Sequence, residues 1–554
     1  MFVEARTVAL LWPEVVLIVA ATTILIGGAF KRSRTWWTTA SLVAYVAAGI
    51  ALWLGGAPWS VDAVTSGPVT ADAMSFFLRW VSLIAGFTLT LTVSRLADKD
   101  LASEFLGLLM LAVAGAMITS VANELVLLFM GLELISIPSY VLLFLGRRDR
   151  SSSEATMKYF FLSIFSSAML LYGFSFLYGI GGTTLIAGNE QAPGLREQIT
   201  QVLQSASAAP AAAEVGDAAA ADAVATTNRS IAALSPLALI LIVVGLGFKL
   251  AAAPFQFYAP DVYQGTTNAN AGILAVLPKI AGVAGLIRLV VLAMPATADF
   301  AWQLPLVLAV LTMTIGNICA LWQRNVRRMM AYSSIAHSGY ILVGLAVATG
   351  VTAAGTTQAA GGVAAMLFYL FVYALATIGT FSALAYLGSE RKELNNLDEL
   401  AGLAKSYPIL AGAIAVFMFS LAGIPPLAGF WGKFTIFGSA IEMASGNVPQ
   451  SVSNWFAALA IIGVLNAAIS AAYYLRIIAA MYFQPATSTP AAAGGRGAWA
   501  SAVLCAVLVV AAGLMPGRAI GVAGRAEVQI RNDEGRVAKV AQPSNDVAIA
   551  QPSR

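Results

Sequence analysis

Long apolar runs recur along almost the whole chain, and they limit what it can fold into. Each run holds roughly 18 or more apolar residues, enough for a helix to cross the hydrocarbon core of a bilayer, about 30 Å thick. Of the 554 residues, 59% are hydrophobic and 10% are charged, which is more apolar than a soluble domain can bury. The runs do not alternate apolar and polar residues as barrel strands do. The sequence therefore predicts an all-α integral membrane protein.

The apolar runs predict about fourteen transmembrane spans. They lie near residues 8–29, 36–56, 72–95, 101–120, 121–146, 155–180, 233–262, 268–294, 301–323, 329–349, 361–387, 406–443, 454–483 and 497–515. The seventh span is interrupted by Pro254, and the twelfth by Gly423, Pro425 and Pro426. Such broken helices are tolerated in a membrane only where protein or a cavity receives the freed backbone groups.

The order of the spans predicts an internal repeat. Spans four to eight and spans nine to thirteen form two groups of five, and the fourth member of each group is the broken one. A repeat with an odd number of spans inverts its second copy, as in secondary transporters whose broken helices line the substrate path. We therefore predict a segment of three helices (1–100), two inverted five-helix repeats (101–294 and 295–485) and a last span with a flexible polar tail (486–554). An Ala-rich stretch, 187–232, is predicted to be an external and partly disordered loop.

Basic residues predict the orientation, because Lys and Arg are retained on the cytoplasmic side. All the strongly basic loops fall on one side of the predicted spans, and they contain Lys31, Arg32, Arg34, Arg95, Lys99, Arg147, Arg148, Arg150, Arg324, Arg327, Arg328, Arg391, Lys392 and Lys405. We therefore expect a multi-pass protein of a bacterial-type inner membrane, with its N-terminus outside. Arg79, Arg288 and Arg476 lie towards span ends and are predicted to snorkel.

Composition argues against several classes of function. The cysteines, Cys319 and Cys505, form no CxxC pair, and His337 is the one histidine, so the chain does not supply the paired ligands of a haem, copper or zinc site. Any electron transfer is expected in other proteins. The formal net charge of +4 indicates no nucleic-acid partner.

A few ionisable residues lie at mid-span, where insertion of a charge costs roughly 2.5 to 3.5 kcal/mol. They are Glu133, Lys249, Lys279, His337 and Lys433. A proton route needs side chains that gain and lose a proton, and carboxylates, amines and imidazole all do so. An ion pair between Glu133 and Lys249 would keep both charged, and its separation would act as a switch.

A structural interpretation stays open for each of these residues. Glu133 and Lys249 would also serve as a pair that ties helices together, and His337 as a hydrogen-bonded core residue. Lys433 lies close enough to a span end to snorkel. Lys158 follows Glu154 by one helical turn, so an ordinary i, i+4 pair competes with a role in transport.

At these residues the sequence resembles the subunit N family of the respiratory NADH-quinone oxidoreductase, complex I, whose members are antiporter-like membrane subunits. The resemblance covers roughly residues 70–485. It is carried by the segments GLELISIPSYVL, EATMKYF, GFKLAAAPFQFYAPDVYQG, RRMMAYSSIAHSGY and GIPPLAGFWGKF. The ending APDVYQG separates this family from its sister subunits and from related sodium/proton antiporter subunits.

The resemblance implies a role for each matching residue. Glu133 and Lys249 match the coupled pair of the fifth and seventh helices, Lys279 the central lysine of the eighth, and Lys433 the lysine of the broken twelfth, while Lys158 matches a further family lysine. Gln256 stands where the family usually has histidine. Glutamine does not change protonation near neutral pH, so a histidine relay is not expected at this point.

The resemblance also implies the partners and the chemistry. We expect no redox cofactor in this chain, with NADH, FMN, iron-sulfur clusters and quinone bound by partner subunits. The expected partners are the other membrane-arm subunits, including sister antiporter-like subunits, together with the lipid bilayer. The expected function is proton translocation coupled to NADH oxidation and quinone reduction. Two alternatives are a subunit of a multi-subunit sodium/proton antiporter and a scaffold that has lost transport.

Overall fold

The computed structural model describes residues 5–55, 63–95, 100–147, 149–188, 192–207, 226, 229–294, 297, 301–354, 361–387, 394–486 and 490–540. Its α-helices are α1 Ala5–Leu10, α2 Trp12–Gly28, α3 Arg34–Leu54, α4 Ala73–Val93, α5 Ala102–Val121, α6 Leu125–Gly146, α7 Arg150–Gly181, α8 Leu195–Ser207, α9 Ser235–Leu250, α10 Tyr258–Gly265, α11 Asn268–Leu286, α12 Gln303–Leu321, α13 Val326–Ala354, α14 Gly362–Tyr386, α15 Leu403–Ser406, α16 Pro408–Ala422, α17 Ala428–Ser445, α18 Gln450–Phe483, α19 Gly495–Leu514 and α20 Pro516–Val540. Short 3-10 turns occupy Phe255–Phe257 and Leu397–Leu400, and a π-helical stretch, Ile287–Ala293, continues α11. The strands Val64–Ser66 (β1) and Val69–Ala71 (β2) form an antiparallel hairpin that pairs Thr65 with Thr70.

The prediction of an all-α membrane protein is confirmed. Among the described residues, twelve helices are long and apolar enough to cross a membrane when the interrupted stretch Arg229–Gly265 is counted as one. Two shorter apolar helices, α2 and α16, coincide with the first predicted span and with the first half of the twelfth. The count of fourteen spans, the inversion of the repeats and the division at residues 100, 294 and 485 stay predictions.

The helix α11 lies at the centre of the molecule. Every one of its residues is buried, and the π-helical continuation is buried as well. It packs against α4, α5, α6, α9 and α14. A side chain on α11 therefore contacts protein and not lipid, which fixes the surroundings of Lys279.

The two breaks end their first half-helices with the same hydrogen-bond pattern. Ala251 has φ +56, and the N–H groups of Ala251 and Ala252 donate to the carbonyls of Phe248 and Gly247. Gly423 has φ +90, and the N–H groups of Gly423 and Ile424 donate to Ser420 and Phe419 in the same way. This is the Schellman arrangement, in which a left-handed residue turns the chain out of the helix and satisfies its last carbonyls.

The prediction of a flexible polar tail after Pro516 is wrong for residues 516–540, which form α20. Pro516 stands at the start of the helix, where its missing N–H is not needed. Ala523, Ala526 and Ile530 recur at helical spacing and are buried, so the helix has one apolar face despite its polar composition. Residues 541–554 lie outside the described part of the chain.

The Ala-rich stretch 187–232 is described only in part. Within it, Leu195–Ser207 form the helix α8, which buries Leu195 and Ile199. The middle of the predicted loop, residues 208–225, lies outside the described residues.

Two of the arginines predicted to snorkel are buried instead. Arg79 is 4% exposed and donates to the Glu14 carboxylate at 2.7 and 3.0 Å. Arg288 is 2% exposed and pairs with Asp72 at 2.6 Å. Each arginine has a buried carboxylate partner, so its side chain does not extend to the membrane interface. Both partners are far from the arginines in sequence, so the sequence pattern did not indicate the pairs.

Candidate functional site: a buried polar axis

Glu133 lies on α6 and Lys249 on α9. The structure describes both side chains, and their charged groups do not form an ion pair. Glu133 accepts a hydrogen bond from the Ser167 hydroxyl at 2.5 Å. The Lys249 ammonium donates to the hydroxyl of Ser136, which stands one helical turn after Glu133. Lys249 is 5% exposed, and Glu133 is half-buried. The arrangement corresponds to the separated state of the predicted pair.

A short polar link joins Lys279 to the backbone of Leu250, the residue after Lys249. The Lys279 ammonium donates to the Ser338 hydroxyl at 2.7 Å, and that hydroxyl donates to the carbonyl of Leu250 at 2.5 Å. Leu250 directly follows Lys249 at the end of α9. The end of the first broken helix is therefore in hydrogen-bond contact with the central lysine.

Lys279 has only neutral partners. It is 2% exposed, and besides Ser338 its ammonium donates to the Ser334 carbonyl. The ring of Tyr373 lies with its centroid 4.9 Å from Nζ, a cation–π distance. No carboxylate among the described residues lies within ion-pair distance of it. Without a compensating anion, the charged form of this amine depends on hydroxyl, carbonyl and ring dipoles alone.

His337 stands on α13 next to the serines that bind Lys279. Its Nδ1 is 2.5 Å from the Tyr369 hydroxyl and its Nε2 is 2.9 Å from the Tyr474 hydroxyl, so both ring nitrogens have partners. The ring of Tyr373 lies 5.1 Å away between centroids and also contacts Lys279. His337 is 2% exposed, so it is fully enclosed by protein.

Lys433 stands five residues into α17, after the second break. Its ammonium donates to the Ala422 carbonyl at 2.9 Å and to the Ser470 hydroxyl at 3.3 Å, and the Tyr340 ring centroid lies 5.1 Å away. Lys433 is 6% exposed, and among the described residues no carboxylate pairs with it. The structural alternative, that Lys433 snorkels towards a span end, is therefore wrong, because the carbonyl freed by the break supplies an acceptor inside the protein.

We call Lys249, Lys279, His337 and Lys433, with the hydroxyls that bind them, the polar axis. The structure buries these four of the six predicted site residues in the interior, and it puts Glu133 beside the helix turn whose Ser136 binds Lys249. The four members of the axis therefore contact protein and not lipid, whereas Glu133 is half-buried.

Lys158 lies apart from the axis. Its ammonium contacts Glu154 at 2.8 Å and Asp261 at 3.0 Å, and Asp261 also pairs with Arg328 at 2.7 Å. Its side chain is 42% exposed, so the pairs are weak individually. The cluster connects α7, α10 and α13.

Gln256, which stands where the family usually has histidine, lies in the 3-10 turn between α9 and α10. Its Oε1 atom is buried and has no hydrogen-bond partner among the described protein atoms. An amide oxygen of this kind suits an ordered water.

Sequence reasoning missed the neutral partners of the axis. Ser334, His337 and Ser338 follow at i, i+3 and i+4, the spacing that puts side chains on one helix face, and Tyr369 and Tyr373 are also one turn apart. That spacing is visible in RRMMAYSSIAHSGY. The sequence analysis also missed a second cluster of polar side chains. In it, Asn317 donates to Tyr340 at 3.0 Å and to Asn466 at 3.1 Å, and Tyr473 donates to Asn317 at 3.1 Å.

Gly429 allows the helices α16 and α17 to approach closely at the second break, and we predict that alanine is not tolerated there. A Cβ atom at Gly429 would lie 1.7 Å from the Ser420 carbonyl oxygen, so α16 and α17 would have to separate at the point where Lys433 meets Ala422. We expect Gly429→Ala to destabilise the protein by about 3 kcal/mol, measured as a lower thermal unfolding midpoint of the detergent-solubilised protein.

Gly438 is the matched control on the same helix. A Cβ atom there meets nothing within 4 Å, so Gly438→Ala should leave the midpoint unchanged or raise it slightly. Equal midpoints for the two variants would contradict the packing described for the break.

Comparison with known proteins agrees with this geometry. The family model described as NADH:quinone oxidoreductase/Mrp antiporter, TM matches residues 122–453, more than half of the 554 residues. NADH-quinone oxidoreductase subunit N of Rhodospirillum rubrum is 36% identical over 480 residues, which is 86% of this chain and 88% of that protein. Subunit N 2 of Roseiflexus castenholzii is 37% identical over 483 residues, 86% of each chain.

Solved structures give the same fold. A chain of respiratory complex I from Thermus thermophilus with bound Aureothin superposes with a TM-score of 0.70 at 29% identity, over 92% of this chain and 98% of that one. A chain of the Mrp complex from a Dietzia species gives a TM-score of 0.76 at 19% identity, over 97% and 100% of the two chains. At 19% sequence identity, the similarity to the Mrp chain is evidence for the fold alone.

The enclosed central helix, the two broken helices and the buried lysines define an antiporter-like multi-pass membrane protein. Sequence identity narrows the class, and the chain belongs to the NADH-quinone oxidoreductase subunit N family. The resemblance found in the sequence is thereby confirmed.

Proposed function

We propose that this chain is a proton-translocating membrane subunit of an NADH-quinone oxidoreductase, and that the polar axis carries the protons. The observation that supports this most is Lys279, an amine without an acidic partner on the most enclosed helix, joined by Ser338 to the end of the broken helix that carries Lys249. Burying an amine without an acidic partner inside the membrane costs free energy, which indicates that Lys279 has a functional role.

The proposed sequence of steps starts at Glu133. When the Glu133 carboxylate contacts Lys249, its negative charge stabilises the ammonium most strongly, and when it turns to Ser167 that stabilisation is weaker. The proton then passes from Lys249 towards Lys279 by way of the Ser338 hydroxyl and ordered water. Separation of the pair is thus the event that moves the proton.

From Lys279 the proton proceeds past Tyr373 to His337 and on to Lys433. The Tyr369 and Tyr474 hydroxyls hold both nitrogens of His337 in hydrogen bonds, so the imidazole accepts on one nitrogen and donates on the other. Lys433 receives the proton beside the second break and releases it to the outer face. Lys158 holds Asp261 of the broken helix and lies at the entry side.

The energy comes from partner subunits, in which NADH, FMN, iron-sulfur clusters and quinone would perform the redox reaction. Each proton moved against the membrane potential costs about 2.3 kcal/mol per 100 mV. Among the described residues of this chain, no group of three His, Cys, Asp or Glu side chains is arranged to hold a metal. The distribution of basic loops supports an N-terminus on the outside and release of protons there.

The surface near Glu133 supports a neighbouring membrane-arm subunit at this position. Exposed side chains lie along one face of α6, at Val126, Met130, Ile137, Val141 and Phe144. Half-buried Glu133 stands between Met130 and Ile137, so the row as a whole has a spacing of three or four residues. A carboxylate at this depth is unfavourable against lipid, so a protein surface covers it in the assembled complex. A sister antiporter-like subunit would transmit the signal that separates Glu133 from Lys249.

Purification from native membranes tests the assignment. A tagged copy of this chain should co-purify with subunits that oxidise NADH, and the preparation should reduce quinone. Purification with membrane subunits alone, accompanied by sodium/proton exchange, would support the antiporter alternative and contradict our proposal.

A further inference from the structure

The helix α20, which we call the strap helix, lies across the first residues of two long helices. The Glu527 carboxylate accepts hydrogen bonds from the backbone N–H groups of Val363 at 2.7 Å and Ala364 at 3.0 Å, at the start of α14. The Gln529 side-chain oxygen accepts from the N–H of Ala73 at 2.8 Å, at the start of α4. Glu527 is 7% exposed and Gln529 is 6% exposed, so both contacts are shielded from water.

The start of α14 depends on this contact, because its own sequence supplies no cap. Gly361 and Gly362 open the helix, and no side chain at the N-cap position accepts a hydrogen bond. The first N–H groups of a helix have no intrahelical acceptor, and the helix dipole favours a negative charge beside them. Glu527 provides that charge from a distant part of the chain, and Arg531 holds its other oxygen at 2.9 Å.

The helix α14 carries side chains that contact the middle of the polar axis. It carries Tyr369, whose hydroxyl bonds His337 at 2.5 Å, and Tyr373, whose ring faces Lys279 at 4.9 Å. Tyr373 also donates to Ser334 at 2.8 Å. A shift of α14 along its own axis would move both tyrosines relative to His337 and Lys279.

The second contact of the strap helix acts on the other side of the centre. It holds α4, whose N-cap residue Asp72 pairs with Arg288 in the continuation of the central helix α11. The strap helix therefore fixes the starts of α4 and α14 relative to each other, and both helices pack against α11.

We propose that Glu527 is a positioning residue for proton transfer, which acts by fixing α14 and, through Tyr369 and Tyr373, the surroundings of His337 and Lys279. This inference rests on the proposed function, since it assigns Glu527 a part in that transfer. The strap helix is accordingly part of the transport machinery and more than a surface attachment.

The test uses the full chain in the assembled complex, reconstituted in liposomes, with proton uptake measured per NADH oxidised and per assembled complex. Glu527→Ala should lower this ratio at least threefold, and Glu527→Gln, which keeps an acceptor but not the charge, should lower it less. Val528→Ala is the matched control, because Val528 is 56% exposed on the next position of the same helix. It should leave the ratio unchanged.

A double-mutant comparison separates positioning from general stabilisation. In a Tyr369→Phe background, Glu527→Ala should lower the ratio by clearly less than threefold, because one of the two contacts through which it acts is already lost. If Glu527→Ala only reduces the amount of assembled complex and leaves the ratio unchanged, or if its effect is the same in both backgrounds, the inference is overturned. Should Lys279→Met also leave the ratio intact, the proposed function itself fails, so the two failures are distinguishable.

Discussion

Replacing Lys279 by methionine should lower proton pumping by the assembled complex at least tenfold, equivalent to about 1.4 kcal/mol or more in the limiting barrier. Methionine has a similar length and no charge, so it removes the titratable group while filling the same space. The Ser338 hydroxyl would still donate to the Leu250 carbonyl, which leaves the local fold supported. The measurement is proton uptake into proteoliposomes per NADH oxidised.

The matched control is Lys405→Met, which removes an exposed lysine outside the polar axis and should leave pumping unchanged. Replacing a buried amine that has no anionic partner by an apolar residue is not expected to harm assembly, because the cost of burying the charge disappears. Full pumping by a properly assembled Lys279→Met complex would remove this residue from the route.

Neutralising Glu133 and Lys249 should have the second largest effect. We expect Lys249→Met to lower pumping about tenfold and Glu133→Gln about fivefold, equivalent to about 1.4 and about 1 kcal/mol in the limiting barrier. The double variant should be about as impaired as Lys249→Met alone, since both residues act in one step and their effects do not multiply. The measurement is again uptake per NADH, with initial rates compared at equal content of assembled complex.

Glu442→Gln provides the control for the carboxylate, because Glu442 is exposed and lies outside the axis. Multiplied effects in the double variant would contradict the coupling of Glu133 to Lys249. Normal pumping in the double variant would favour the alternative of a scaffold that has lost transport.

The spans and the intramembrane charges could be predicted because both are local properties of the sequence. The length of an apolar run can be read directly from the sequence, and it predicts whether the run can span a membrane. Lys279 is recognisable because no carboxylate lies in the same span. The two breaks were signalled by Pro254 and by the Gly423 segment. Ala251, which adopts the left-handed conformation at the first break, carries no such signal because alanine rarely does so.

The contacts between helices were harder to predict, because they depend on how each helix is rotated about its axis. Nothing local relates Ser338 to Leu250 or Tyr369 to His337, because the first pair meets where α13 contacts the end of α9 and the second where α13 contacts α14. The separated state of Glu133 and Lys249 is likewise a matter of side-chain conformation. The strap helix was missed for another reason: its apolar face consists largely of alanines, which contribute little to hydropathy.

A map of the assembled complex in which ordered water is visible would decide whether the polar axis carries protons. We expect a chain of waters and hydroxyls that connects Lys249, Lys279, His337 and Lys433 without a dry gap. Tightly packed apolar side chains between Lys279 and Lys433, with no water on either side of His337, would contradict it.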